Sequence, residues 1–356
     1  MESRYLTLLC LFLAVQIMAD DKTQLIDSQH LTPLPIPISN NAVTSITAGG
    51  RTFVVSFAGL AAGKNHGDVL DVTFVLDSEN GHWTQAEPLP GGVGRLAATA
   101  TSVGELAYVF GGYTVAADGS EISTPWVHAF DPVARTFHKR REMTVPVDDS
   151  LSVPYQDRYI YLISGWHDDS NVNLVQRYDT KNDEWEEASP ISGNAVFGHA
   201  GGIVGNRIVY CDGVTIKSSP DEKREFVANN QCYMGIIDGE DGLRIDWRSI
   251  ESHPGLPRYR MASAGVVSRN AVLFIGGSEN PYNYNGMGYN GEPSTPAAGA
   301  MLVDVESTEW KIIRQNNAPT MDHRGLVPFG GAWLTVGGML NEQTVTDRVI
   351  LYSSDF

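Results

Sequence analysis

The chain is short of positive charge, of cysteine and of long apolar runs. It carries 25 Lys and Arg against 42 Asp and Glu, a formal net charge of −17. No basic stripe is available to neutralise phosphates, which argues against nucleic acid as a partner and against attraction to an anionic membrane surface. Three cysteines in 356 residues exclude a disulfide-dense scaffold, and no His or Cys spacing forms a tight metal-ligand set. No metal and no cofactor is expected. Asn-x-Ser/Thr is absent, so N-glycosylation is not expected. The one sustained apolar run lies near the N-terminus, from Tyr5 to Ala14 and on through Val15, Ile17 and Met18. It falls short of the roughly 18–20 residues of a spanning helix. With Arg4 ahead of it and Ala19 before Asp20 and Asp21, it has the parts of a secretory signal. Residues 1–19 are therefore expected to be removed, leaving 20–356 as a single domain that is periplasmic or secreted, with no membrane insertion of the mature chain. Cys10 leaves with the leader, and export permits a disulfide between Cys211 and Cys232.

Glycine is plentiful, 36 residues against a usual share of about 7%, which points to many turns between short strands. An apolar run ending in two small or turn-forming residues recurs six times. The closing pairs are Ala58-Gly59, Gly111-Gly112, Ser164-Gly165, Asp212-Gly213, Gly276-Gly277 and Gly337-Gly338, with final glycines 53, 53, 48, 64 and 61 residues apart. A second strand follows each of the first five pairs and ends in Asp (Asp77, Asp131, Asp179, Asp238, Asp304). An aromatic residue comes next (Trp83, Phe137, Trp185, Trp247, Trp310), and then a proline (Pro90, Pro146, Pro190, Pro257, Pro319). A period near 50 residues is the mark of a propeller blade. The Trp positions recur in phase and are expected to pack between blades.

The run Ser164-Gly165…Tyr178-Asp179…Trp185 resembles the kelch repeat, and the resemblance covers essentially the whole chain after the leader. It implies an all-β, six-bladed kelch-type β-propeller. The sixth repeat lacks its outermost strand. The N-terminal segment from His30 to Pro37 resembles the proline-ended outer strands, so it is expected to pair with Asp347–Ser353 and close the ring, removing exposed sheet edges.

In such a blade, strands a to d run outward from a central channel, and the d→a and b→c loops open on one face. Function is sought there. The residues after the prolines include Asn40 and Asn41, Arg95, Asp148 and Asp149, His199, then Arg258 and Arg260, His323 and Arg324. Those after the small pairs include Tyr113, Trp166, His167 and Asp168, then Ser278, Glu279 and Asn280, and lastly Asn341 and Glu342. Converging charges, amides and aromatics suit a small polar ligand. An arginine opening strand a serves equally well as a structural bond between blades. The fifth repeat carries a long loop, Ser278 to Pro293, rich in Tyr and Asn; Tyr282, Tyr284, Asn280 and Asn285 supply the flat apolar faces and amide groups that suit sugars. The fourth repeat carries a charged loop, 214–230. Cys211 ends one strand and Cys232 opens its antiparallel neighbour, within reach of a disulfide that pins this loop.

The Gly276-Gly277…Glu279-Asn280…Tyr282…Asn285-Gly286…Tyr289…Glu292 stretch, together with Pro90-Gly91-Gly92…Arg95 and Gly337-Gly338…Val345-Thr346-Asp347, resembles the sialic acid mutarotases (N-acetylneuraminate epimerases). The resemblance implies anomer interconversion of a small acidic sugar. Glu279 would act as acid/base with His199 or His323 as its partner, and Arg95, Arg260 and Arg324 would clamp the carboxylate. Tyr113, Trp166 and His167 would join the loop residues in holding the sugar. Copper radical oxidases also use kelch propellers, but they need a Cys–Tyr cross-link and a Tyr/His metal set, whereas Cys211 and Cys232 lie in one blade and are expected to pair with each other. The chief alternative is a propeller that binds a carbohydrate or a protein without transforming it.

Overall fold

Apolar runs such as Tyr159–Ile163 and Ala271–Ile275 are buried along almost their whole length, because a blade is covered by a neighbour on each side. A strand covered on both faces shows continuous, not alternating, hydrophobicity. Outer strands such as Glu184–Ala188 (EWEEA) meet solvent and are mostly exposed.

The protein is described by a computed structural model covering residues 25–217, 224–315 and 319–353. The expected leader and the centre of the charged fourth-repeat loop lie outside these residues. Six four-stranded antiparallel blades surround a central channel. Strands a to d are Ala42–Ala48, Arg51–Leu60, Val69–Asp77 and Trp83–Gln85 in blade one. In blade two they are Thr99–Val103, Leu106–Phe110, Val127–Asp131 and Thr136–Lys139. Blade three has Leu151–Tyr155, Tyr159–Ile163, Val175–Asp179 and Glu184–Ala188. Blade four has Ala200–Val204, Arg207–Cys211, Cys232–Asp238 and Arg244–Ile250. Blade five has Ala262–Val266, Ala271–Ile275, Ala300–Asp304 and Trp310–Gln315. Blade six takes Val327–Phe329, Ala332–Val336 and Val349–Ser353 from the C-terminal end and Leu25–His30 from the N-terminal end.

The ring closes through the N-terminal segment, but the strand lies earlier than the sequence suggested. Asp27 to His30 pair with Ser353 to Ile350, whereas residues 31–38 follow blade six through scattered backbone bonds, from the N–H groups of Leu31, Leu34 and Ile38 to Val349, Asp347 and Thr346 and from the Gly338 N–H to Ile38 O. Pro33, Pro35 and Pro37 have no N–H to donate, so a regular ladder cannot pass through them. Leu25 and Ile26 also pair in parallel with Arg314 and Gln315 of blade five, which ties the last two blades together.

The repeated residues take their expected structural places. Trp83, Trp185, Trp247 and Trp310 each donate an indole N–H to a carbonyl at the end of the preceding blade, at Thr32, Arg141, Ser189 and Glu251 (2.8–3.1 Å). The Asp that ends strand c caps the following turn; Asp131 and Asp304 each accept two backbone N–H groups. Cys211 and Cys232 are directly paired in adjacent strands and form a disulfide with a Cα–Cα distance of 4.1 Å.

Candidate ligand pocket over the channel mouth

All six small pairs have positive φ at both residues. Two successive left-handed residues turn the chain sharply out of strand b and into the b→c loop. The second member must be glycine for a further reason. A Cβ at Gly165 would lie 2.7 Å from the Asp148 carbonyl oxygen, and one at Gly213 would lie 2.7 Å from that of Phe197. The next residue then forms a β-bridge to the d→a segment: Ser39 with Leu60, Leu96 with Tyr113, Asp148 with Trp166, Phe197 with Val214, Tyr259 with Ser278, and Met321 with Met339. The two residue sets named from the sequence are therefore physically joined, blade by blade.

One residue beyond each bridge the chain again has positive φ, at Asn40, Ala97, Asp149, Gly198, Arg260 and Asp322. These six residues form a ring around the channel mouth. Asp149 N–H donates to Ala97 O, Gly198 to Asp149 O and Arg260 to Gly198 O, each at 2.9 Å. Ala97 N–H closes another link onto Asn40 Oδ1. The side chains fill the mouth with a charge cluster. Arg260 reaches Asp149 at 2.6 Å and Asp322 at 3.1 Å, and Arg324 reaches Asp149 at 3.0 Å and Asp322 at 3.6 Å. The Arg260 guanidinium lies against the rings of Tyr259 and Tyr282, 4.5 and 5.2 Å from their centroids. Burial alone would raise the pKa of Asp149, but Arg260 and then Arg324 outweigh it and hold the carboxyl below its ordinary value.

Below this cluster runs the channel, a cavity of about 400 Å3 walled by the inner strands. His199 and His323 line it. Burial pushes both imidazoles down to about 4, so both are neutral near pH 7. His323 pairs with the Thr320 hydroxyl at 2.8 Å.

Above the cluster lies a smaller pocket of about 150 Å3, and insertions from four blades build its wall. Tyr113 and Glu121 come from a hairpin in blade two and Trp166 from blade three. Phe226 comes from the Val214–Lys217/Glu225–Ala228 hairpin of blade four, and Tyr284 and Tyr289 from the blade-five loop. Phe226 and Tyr289 stack with centroids 4.2 Å apart. Trp166 stands 5.8 Å from Phe226 and 5.2 Å from Phe197. Asp148, Asp149 and Arg260 form the floor. Asp148 takes a 2.6 Å hydrogen bond from the Ser123 hydroxyl. Burial and then the neighbouring Asp149 raise its pKa well above its ordinary value. Glu121 is exposed as a residue, yet enough protein surrounds its carboxyl that lost hydration raises its pKa; Arg260 opposes the rise and Asp149 adds to it.

Of the residues singled out from the sequence, the structure brings Tyr113, Trp166, Tyr284, Arg260, Asp148 and Asp149 to this pocket. Tyr282 is buried beneath it, its hydroxyl 3.4 Å from Asp322. Asn280 and Asn285 brace their own loop, through Asn290 and Glu292 and through the Met287 N–H respectively. His167 is half-buried, 3.9 Å from Asp168, and does not line the pocket. Glu279 is exposed and lines neither this pocket nor the channel. Arg95 is wholly buried away from both, donating to the carbonyls of Gly111 and Trp126, and burial pushes its guanidinium down to about 10. Its counterpart Arg258 bonds the Gly276 carbonyl, the same place in blade five. This repeat position is structural. The sequence did not point to Phe197, Phe226 or Glu121, and it offered Tyr289 only as part of the blade-five stretch. The one available signal was Phe226, an aromatic residue in an otherwise charged loop.

Residues 94–144 and 150–192, which span blades two and three, match the Kelch motif. This chain is a six-bladed β-propeller with Kelch motifs in blades two and three. The propeller is similar over 92% of its length to the solved structure of YjhT, of which it covers 99%, with a TM-score of 0.71 and 14% identity. That likeness is one of fold. Among curated proteins it is 22% identical to Kelch-like protein 15 of Danio rerio over 71% of this chain and 40% of that protein. It is 29% identical to Kelch-like protein 15 of Gallus gallus over 33% of this chain and 24% of that protein, and 27% identical to Beta-scruin of Limulus polyphemus over 55% and 21%. The chain thus spans well under half the length of the curated relatives it matches.

Proposed function

We propose that the Kelch propeller is a binding protein whose ligand site is the aromatic pocket above the channel mouth. The observation that carries this reading is the wall itself, in which Trp166, Phe197, Phe226 and Tyr289 surround one small cavity. At about 150 Å3 it is below the roughly 300–1,000 Å3 of sites that engulf a whole small molecule. It suits one compact group at the end of a larger molecule, protein or glycan. An exported location fits both the N-terminal leader-like sequence and the Cys211–Cys232 disulfide.

Mutarotation of an acidic sugar has less support. It needs an arginine free to take a carboxylate, and Arg260 and Arg324 are both engaged by Asp149 and Asp322. Drawing either away leaves a buried charge uncompensated, which costs about 3–5 kcal/mol. Its acid/base candidate, Glu279, lies outside the pocket. NMR separates the two readings. N-acetylneuraminic acid is expected to exchange anomers at its uncatalysed rate in the presence of the protein. Acceleration that disappears in Glu279→Gln would replace binding with mutarotation. In ligand-observed NMR with a panel of sugars and short peptides, hits are expected to weaken in Trp166→Ala. Hits that bind that variant equally well would move the site elsewhere.

A further inference from the structure

Building on that pocket as the ligand site, we propose that its occupant is an alkylated ammonium group, the chemistry shared by free choline and a trimethylated lysine side chain. The rings supply the first argument. Trp166, Phe226 and Tyr289 meet at one cavity with centroid separations of 4.2 Å (Phe226–Tyr289) and 5.8 Å (Trp166–Phe226). Aromatic faces carry negative quadrupole potential and attract a cation whose methyl groups keep water from competing.

The carboxyls supply the second. Asp148, 3% exposed, and Glu121 line the same cavity. The one cation lining it, Arg260, is already shared between Asp149 and Asp322. The two arginines and two aspartates of the ring cluster balance one another, so Asp148 and Glu121 are the surplus groups, and both are acidic. An anionic ligand would face two carboxyls with no free cation. A bare metal ion has little to hold it, because no group of three or more His, Cys, Asp or Glu fit for a metal is found among the described residues. One layer below, the fold already uses the same chemistry, holding the Arg260 guanidinium against Tyr259 and Tyr282. The net charge of −17 would speed the approach of a cation without choosing its site.

The test compares choline with its neutral carbon isostere, 3,3-dimethylbutan-1-ol, by NMR titration of the intact protein. Choline is expected to shift the Trp166 indole resonance, and the isostere to bind about ten-fold more weakly, the usual scale of a desolvated cation–π contribution. Phe226→Ala is expected to weaken choline binding by a similar factor. Glu121→Gln, at an exposed position, is expected to weaken it several-fold, and thermal melts check that both variants are folded. A trimethyllysine peptide in parallel identifies the source: tighter binding than choline points to a protein side chain, weaker binding to a free headgroup, and either order supports the proposal. Equal binding of choline and the isostere would overturn the cation while leaving the pocket as a ligand site. If a neutral sugar shifts Trp166 and choline does not, the ligand class is wrong but the site stands. If none of the probes or panel ligands disturbs the pocket, both readings fall.

Discussion

Asp148 and Asp149 are neighbours in sequence with opposite surroundings. Asp149 faces two guanidinium groups and is held below the ordinary carboxylate pKa. Asp148 faces the Ser123 hydroxyl and the aromatic pocket, and burial followed by the charge on Asp149 pushes it well up. The sign of the linkage follows. A carboxyl whose pKa is raised on folding adds stability that is full below the unfolded pKa and is lost as pH rises through the folded value. Asp148 therefore becomes a growing burden as pH climbs. Asparagine keeps the shape of the protonated acid and can still accept from Ser123. Asp148→Asn is expected to stabilise the protein, within the roughly 0.5–2 kcal/mol common for relief of such sites, with a gain that opens above the ordinary carboxylate range and widens with pH. Melting curves from pH 4 to 8 check this. A variant that is destabilised, or whose gain shrinks with pH, would show that Asp148 is ionised and well solvated in the folded state. At pH values high enough for Asp148 to ionise in the folded protein, the same variant is expected to bind choline more weakly, so that stability and binding trade against each other at one carboxyl.

At the scale of single elements, the repeat made strands, turns and capping residues legible because each is fixed by a local rule used several times over. The b→c insertions were not legible, because each occurs once and its partners come from other blades. Phase explains the arginines. Arg95 and Arg258 lie two residues before the ring residue of their blades and bond their own blade's carbonyls, whereas Arg260 is itself a ring residue. A reading that treats all residues after a proline alike cannot separate these positions. Phe226 illustrates the other limit. Its place in the pocket depends on the blade-four hairpin, which springs from the strands joined by Cys211 and Cys232. Loop-closure entropy for a bridge with a sequence separation of 21 residues is worth about 3 kcal/mol. Reduction, or the paired substitution Cys211→Ala with Cys232→Ala, is expected to lower stability by about that amount. It should also speed amide hydrogen exchange in Val214–Lys217 and Glu225–Ala228. Unchanged exchange in that hairpin would mean that the surrounding rings, not the disulfide, hold Phe226 in place.

For the molecule as a whole, closure is the least local feature, and the sequence pointed to the right end of the chain but not to the right strand. The missing outer strand of the sixth repeat called for a substitute, and the N-terminal segment provides it, though the paired strand ends at His30, before the three prolines. The segment does more than cover an edge. Leu34 and Ile38 are 2% and 0% exposed, in the cluster that joins blades one and six through Val43, Val54, Leu334 and Val336. Thr32 O receives the Trp83 indole N–H of blade one. Removing residues 20–38 therefore strips two fully buried side chains, worth about 1.5–3 kcal/mol each, exposes the edge of Val349–Ser353, and breaks the seam between the first and last blades. The deletion is expected to lower the melting temperature, broaden the transition as cooperativity fails at that seam, and promote association through the open edge. Calorimetry with light scattering reads all three. If the truncated protein melts as sharply and as high as the full chain, the propeller is closed by packing between blades alone, and the N-terminal strand is only an accessory.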